Sequence, residues 1–263
     1  MVSSDGVSIS YEVRGNGEPT IVFVHGWTNT REIWREQISQ FSKDYRTIAM
    51  DLPGTGRSGN NRAAWSMQAF GEDIAAIVQK EKLDQVVLVG FSMGGAVVIE
   101  AAKRLPKETI GVVLVDAIQD PENKIPEEMI PVLDSLYMNL VTDLSNEKLL
   151  ELGFYKRNPA ESFARLLEIY PKDASRIGWK ESLLAHFNWM NNDCTDALQS
   201  LNAPLVSINA DLLPTNADAF RRLVPSYEAK VMTDTGHLVF WDDPEGFQKN
   251  LEESIRGFMQ NNP

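Results

Sequence analysis

Cys194 is the only cysteine among 263 residues, so no intramolecular disulfide forms and no cysteine-based metal cluster exists. Three histidines, His25, His186 and His237, limit metal sites further, and neither a metal nor a cofactor is expected. Positive charge is scarce as well. Lys and Arg number 25 against 37 Asp and Glu, a formal net charge of −12. Nucleic acid and anionic membranes both demand a basic surface, so neither is an expected partner. No apolar run is long enough to span a bilayer, and the opening MVSSDGVSIS lacks a basic n-region and an apolar h-region, so the expected location is cytoplasmic. Repeats and low-complexity segments are absent. With 43% hydrophobic and 24% charged residues, the composition is that of an ordinary soluble globule.

What is present is a rhythm of strands and helices. Strands are predicted at 7–13, 20–24, 46–50, 85–89, 109–115, 204–209 and 228–232. Runs such as VVLV and IGVVLV do not alternate, as expected for strands buried on both faces of a parallel sheet. Between them, residues 67–80 place Phe70, Ile74, Ile77 and Val78 on one helical face, with Ser66 as N-cap. Asp243 and Pro244 start a last helix whose buried stripe is Phe247, Leu251, Ile255 and Phe258. Such alternation defines an α/β protein with a doubly wound, mostly parallel sheet. Residues 120–196 break the rhythm, because they read as successive helices rich in Leu136, Tyr137, Phe154, Trp179, Phe187 and Trp189. Most of these large groups are expected to pack the segment itself, and some to line an apolar pocket.

Residues 85–95, QVVLVGFSMGG, set an apolar strand directly before Gly90, Ser92 and Gly94, and a helix-like AVVIEAAKRL follows. A serine hydroxyl is a poor nucleophile until it is presented where a base can reach it, and a sharp strand-to-helix turn presents it. That turn crowds the positions two before and two after the serine, which explains glycine at both. The same letters in a plain loop would mean little, but strand, turn and helix are all there. His237, on the loop TDTGH after the strand-like EAKVM, is the expected base, since loops at the carboxyl ends of parallel strands carry the chemistry. His186, beside Phe187, reads as packed or pocket-lining, and His25 as holding its turn. Two aspartates, Asp116 after GVVLV and Asp211 after PLVSINA, end strands and could orient the base. Asp218 lies inside the helix that follows and reads as solvated.

The elbow, His25-Gly26-Trp27 after TIVFV, DLPGTGRSG at 51–59 and TGHLVFWDDPEGF at 235–247 together resemble the α/β-hydrolase superfamily over nearly the whole chain. Within it, HGW and GFSMGG are most similar to serine esterases and the cofactor-free haloperoxidase or perhydrolase relatives. The resemblance implies an α/β-hydrolase fold, with a core of 1–119 and 197–263 and a helical cap of 120–196 inserted after the sixth strand of the hydrolase core. It implies Ser92 as nucleophile, His237 as base and Asp211 as acid, with Asp116 as the alternative because some relatives carry the acid one strand earlier. The glycine commonly found before the later aspartate is missing here. Backbone N–H groups of Trp27 and Met93 would form the oxyanion hole. The implied activity is hydrolysis of small carboxylic esters or related acyl substrates through an acyl-enzyme. The same triad also serves lactone or carbon–carbon bond hydrolysis, perhydrolysis and hydroxynitrile cleavage, and the fold can serve as a ligand-sensing receptor.

Overall fold

The computed structural model of the chain describes residues 1–142, 144–170 and 176–261. Residues 143 and 171–175 of the expected cap lie outside the described residues. Seven strands, β1 (Tyr11–Arg14), β2 (Thr20–Val24), β3 (Arg46–Met50), β4 (Val86–Phe91), β5 (Thr109–Val115), β6 (Leu205–Ala210) and β7 (Glu228–Met232), form one sheet in the order β1-β3-β2-β4-β5-β6-β7. Only β1 runs antiparallel to its neighbour. Every residue of β2, β4, β5 and β6 is buried, which is why those segments carry no polar alternation.

The helices are α1 (Arg35–Phe41), α2 (Met67–Glu81), α3 (Met93–Arg104), α4 (Ile130–Thr142), α5 (Asn146–Glu151), α6 (Pro159–Ile169), α7 (Arg176–Asn192), α8 (Cys194–Gln199), α9 (Ala217–Leu223), α10 (Val239–Asp242) and α11 (Pro244–Asn261). Alternate strand residues feed two cores. Val22, Val24, Val86 and Leu88 meet α2 and α3 on one face, while Ile21, Phe23, Val87 and Val89 meet α1 and α11 on the other. The Ser66 hydroxyl accepts from the Ala69 N–H and caps α2 as expected. Phe247, Leu251, Ile255 and Phe258 are all buried, each contributing about 1.5–3 kcal/mol relative to exposure.

One expectation is corrected. The first strand is shorter than 7–13, because residues 7–10 bond elsewhere. The Ile9 N–H donates to the Met1 carbonyl, and the Ser10 N–H to Ser58 Oγ. The helical insertion, α4 to α8, lies between β5 and β6, directly after the strand predicted at 109–115. Among the described residues it contains no strand. Its α7 packs on α4 and on α2 and α3.

Candidate active site

Ser92 sits between β4 and α3 with φ 53° and ψ −122°, a backbone conformation that costs a non-glycine residue on the order of 1–3 kcal/mol. The strain is held from both sides. The Ser92 N–H donates to the Val115 carbonyl at the end of β5 (3.0 Å), and its carbonyl accepts from Gly95 N–H (2.8 Å). The flanking glycines are there for space. A Cβ on Gly90 would lie 2.3 Å from the Gly94 carbonyl oxygen, and one on Gly94 would lie 2.7 Å from the backbone oxygens of Val24 and His25. A Cβ on Gly26 would come within 3.1 Å of Ser92 Cβ, so the His-Gly-Trp turn passes beside the serine. Neither the Trp27 nor the Met93 backbone N–H finds an acceptor among the described residues.

His25 is fully buried and anchors that turn. The Leu52 N–H donates into its Nε2 (3.0 Å), so the proton sits on Nδ1, which reaches the Gly26 carbonyl (2.7 Å). Burial lowers its pKa and keeps the ring neutral. Thr55 Oγ lies 3.1 Å from the same Nε2 and also donates to the Leu52 carbonyl, giving Thr55 a structural use that the sequence did not reveal. The rest of DLPGTGRSG closes on Asp51. Its carboxylate accepts from the backbone N–H groups of Arg31 and Arg57, and a Cβ on Gly56 (φ 51°) would strike it.

His237 follows β7 on its loop. Its ring lies tilted over Phe91, the residue before Ser92, with centroids 4.6 Å apart, and Phe154 meets it edge-on at 5.6 Å. Nδ1 is 2.5 Å from Oδ2 of Asp116. A carboxylate only accepts, so Nδ1 carries the proton and Nε2 keeps its lone pair. Asp116 is 3% exposed and held firmly. Its N–H donates to the Ile208 carbonyl (3.0 Å), and its Oδ1 accepts from the Ala210 N–H (2.9 Å).

Asp211 is not the partner of His237, contrary to the expected assignment. It is 35% exposed, its Oδ1 pairs with Lys156 Nζ at 2.7 Å and its Oδ2 accepts from the Asp234 N–H at 2.9 Å. The lysine, then that N–H, hold its carboxyl below the usual range. Lys156 comes from the loop after α5, and nothing in the sequence signals that pairing. Asp218 is solvent-exposed beside Arg221, as expected.

The insertion meets the His-Gly-Trp turn. Trp27 Nε1 donates to the Trp179 carbonyl on α7 (2.7 Å), and the Trp27 ring meets Tyr137 of α4 and Trp179 edge-on. Tyr137 in turn contacts Phe187. His186 shares the inward face of α7 with Ser182. Its Nδ1 is shut from solvent and finds no partner among the described residues, and burial pushes its pKa down to about 4. Among the described residues no three His, Cys, Asp or Glu converge as metal ligands would, and no helix is long and apolar enough to cross a membrane.

A serine on a strained strand-to-helix turn, with a histidine–aspartate pair that follows two parallel strands of the same sheet, defines a hydrolase of the α/β type. Residues 21–248 match the model of the alpha/beta hydrolase family, and the chain is an enzyme that belongs to it. The chain is 29% identical over 221 residues to a bifunctional esterase/perhydrolase of Acinetobacter calcoaceticus, covering 78% of this chain and 79% of the relative. It is 32% identical over 218 residues to a non-heme haloperoxidase of Rhodococcus erythropolis, covering 78% of each. A thermophilic esterase from Thermogutta terrifontis, solved with malate bound, shares the fold at a TM-score of 0.81 and 22% identity, over 97% of this chain and 96% of that one.

Proposed function

We propose that the protein hydrolyses small carboxylic esters through Ser92, His237 and Asp116 and an acyl-enzyme intermediate. The observation that carries this reading is the 2.5 Å contact between His237 Nδ1 and a buried Asp116, which leaves Nε2 as an acceptor on a ring packed against Phe91, the residue before the strained Ser92. His237 takes the Ser92 hydroxyl proton as the oxygen attacks the ester carbonyl. The open N–H groups of Trp27 and Met93 receive the oxyanion. His237 then protonates the departing alcohol, and water repeats the sequence to release the acid. Asp116 holds the ring in the required tautomer and stabilises the imidazolium. No step calls for a cofactor. Residues 120–196 act as the cap, and the Trp27, Tyr137, Trp179 and Phe187 rings make its inner surface apolar, which suits an uncharged acyl or alcohol group.

The likeness to a bifunctional esterase/perhydrolase supports a second outcome at the same site, in which hydrogen peroxide replaces water on the acyl-enzyme and yields a peracid. The test is a fluorophosphonate label with a series of p-nitrophenyl esters, first with water and then with added peroxide. Wild type should label once, on Ser92, and turn over short esters repeatedly. Ser92→Ala should lose the label and several orders of magnitude of turnover while staying folded. Ester turnover near wild type in that variant refutes the nucleophile.

A further inference from the structure

Asp242 and Asp243 are adjacent, yet their side chains do different things. Asp243 Oδ1 accepts from the Gly246 N–H (3.0 Å) and caps the start of α11. Asp242 turns the other way and is 4% exposed. Its Oδ2 accepts from the backbone N–H groups of Gly236 (2.6 Å) and Lys156 (2.8 Å), and its Oδ1 from that of Arg157 (2.9 Å). One buried carboxylate therefore gathers donors from two segments far apart in sequence, the histidine loop and the stretch 153–157 of the insertion.

Everything else at this seam points the same way. The His237 N–H donates to the Gly153 carbonyl and the Leu238 N–H to that of Phe154, both at 2.8 Å. Gly236 is required by proximity, since a Cβ there would lie 2.4 Å from Tyr155 Cα. The Arg157 guanidinium reaches back to the Thr233 and Asp234 carbonyls. Phe154, carried on the same stretch, meets edge-on the imidazole that is tilted over Phe91. The base is thus held in three ways: by Asp116 at Nδ1, by Phe91 from the core, and by a piece of the insertion.

We propose that Asp242 is a positioning residue for His237, fastening residues 153–157 of the insertion to the histidine loop so that the imidazole is fixed from the cap side as well as from the sheet. The proposal rests on His237 being the general base, as above. Asp242 touches neither substrate nor reacting atoms. Its effect passes through the Gly236 N–H and through the seat of Phe154.

The experiment uses the full chain and two readouts, ester kinetics and the low-field proton resonance of the His237 Nδ1–H that faces Asp116. In Asp242→Asn the amide oxygen accepts from one side only and its NH2 faces backbone donors. Expected are a fall in kcat of about 10- to 100-fold, KM within about threefold, and a shifted or broadened resonance in a protein that still unfolds cooperatively. A folded Asp242→Asn with the wild-type resonance and kcat within about twofold of wild type overturns the proposal. Should that variant fail to fold, Arg157→Ala, which removes the guanidinium from Thr233 and Asp234, decides instead. A perturbed resonance supports the coupling, and an unchanged one refutes it. Ser92→Ala keeps the two readings apart. If it retains ester turnover the proposed function fails, while the resonance still reports whether Asp242 positions His237.

Discussion

Replacing Asp116 by asparagine gives the most direct test of the site, because the structure says what the amide would meet. The carboxylate uses Oδ2 to accept from His237 Nδ1 at 2.5 Å and Oδ1 to accept from the Ala210 N–H at 2.9 Å. An amide presents one acceptor and one donor to these two donors. With its oxygen on Ala210, its NH2 faces Nδ1, and the imidazole relieves the clash by moving its proton to Nε2, the nitrogen that must accept from Ser92. The charged hydrogen bond, worth about 1.5–3 kcal/mol, is lost, and the imidazolium formed in the transition state loses its counter-charge. The corresponding change in serine proteases costs about four orders of magnitude in kcat, or about 5.5 kcal/mol at about 1.36 kcal/mol per decade. We expect a loss on the order of 10³- to 10⁴-fold in kcat on a short p-nitrophenyl ester, with KM little changed. Asp211→Asn should stay within a few-fold of wild type, since it disturbs an exposed pair with Lys156 and a contact with the Asp234 N–H, neither of which involves the His237 ring. The reasoning is refuted if Asp211→Asn collapses kcat while Asp116→Asn does not.

Gly236→Ala forces a methyl group against the Tyr155 backbone, and it should lower kcat by at least about tenfold before it abolishes folding, as measured by ester kinetics beside thermal unfolding. A variant with wild-type kcat shows that the seam tolerates separation. His186 gives a pH dependence of stability with a definite sign. Its folded-state pKa of about 4 lies below the unfolded value of 6.5, so the unfolded chain binds more protons between them, and the contribution is lost as pH falls through that window. Relative to His186→Leu, wild type should lose about 3 kcal/mol of unfolding free energy from pH 7 to pH 4 in denaturant titrations, and a difference constant with pH would refute the burial of that ring.

Much of this was legible because it rests on local chemistry. Strands buried on both faces must be apolar throughout, and β2, β4 and β5 lie where VFV, VVLV and GVVLV place them. Ser92 was legible because the only cheap way to fit its turn is glycine at 90 and 94, and the structure shows backbone atoms where side chains would go. His237 stood out by elimination among three histidines and by its loop. The shortened first strand was not legible, because Val7 and Ile9 are buried and apolar like strand residues, yet their backbone pairs with residues near Met1 and with the 51–59 loop. The seam at Asp242 was hidden too. Adjacent aspartates before a proline read as a helix start, and only Asp243 serves that purpose.

The choice between the two acids shows where local chemistry stops being informative. Both aspartates directly follow buried strands, and each reaches one strand further along the sheet. Asp116 takes the Ala210 N–H at the end of β6, and Asp211 takes the Asp234 N–H after β7. What separates them is the backbone. Asp116 has φ 40° and Ile118 φ 54°, so the chain leaves β5 through a left-handed bend that sends the carboxylate along the sheet edge toward His237. Left-handed backbone is rare for an aspartate and rarer for a β-branched isoleucine, so nothing in the residue types announces the bend. It is imposed by partners: Ser92 N–H on the Val115 carbonyl before it, and Asp116 N–H on the Ile208 carbonyl across it. Once Asp116 occupies Nδ1, a second carboxylate at that nitrogen would have no proton to accept. Asp211 is left free to pair with a lysine of the insertion, and its exposure follows from that division of roles.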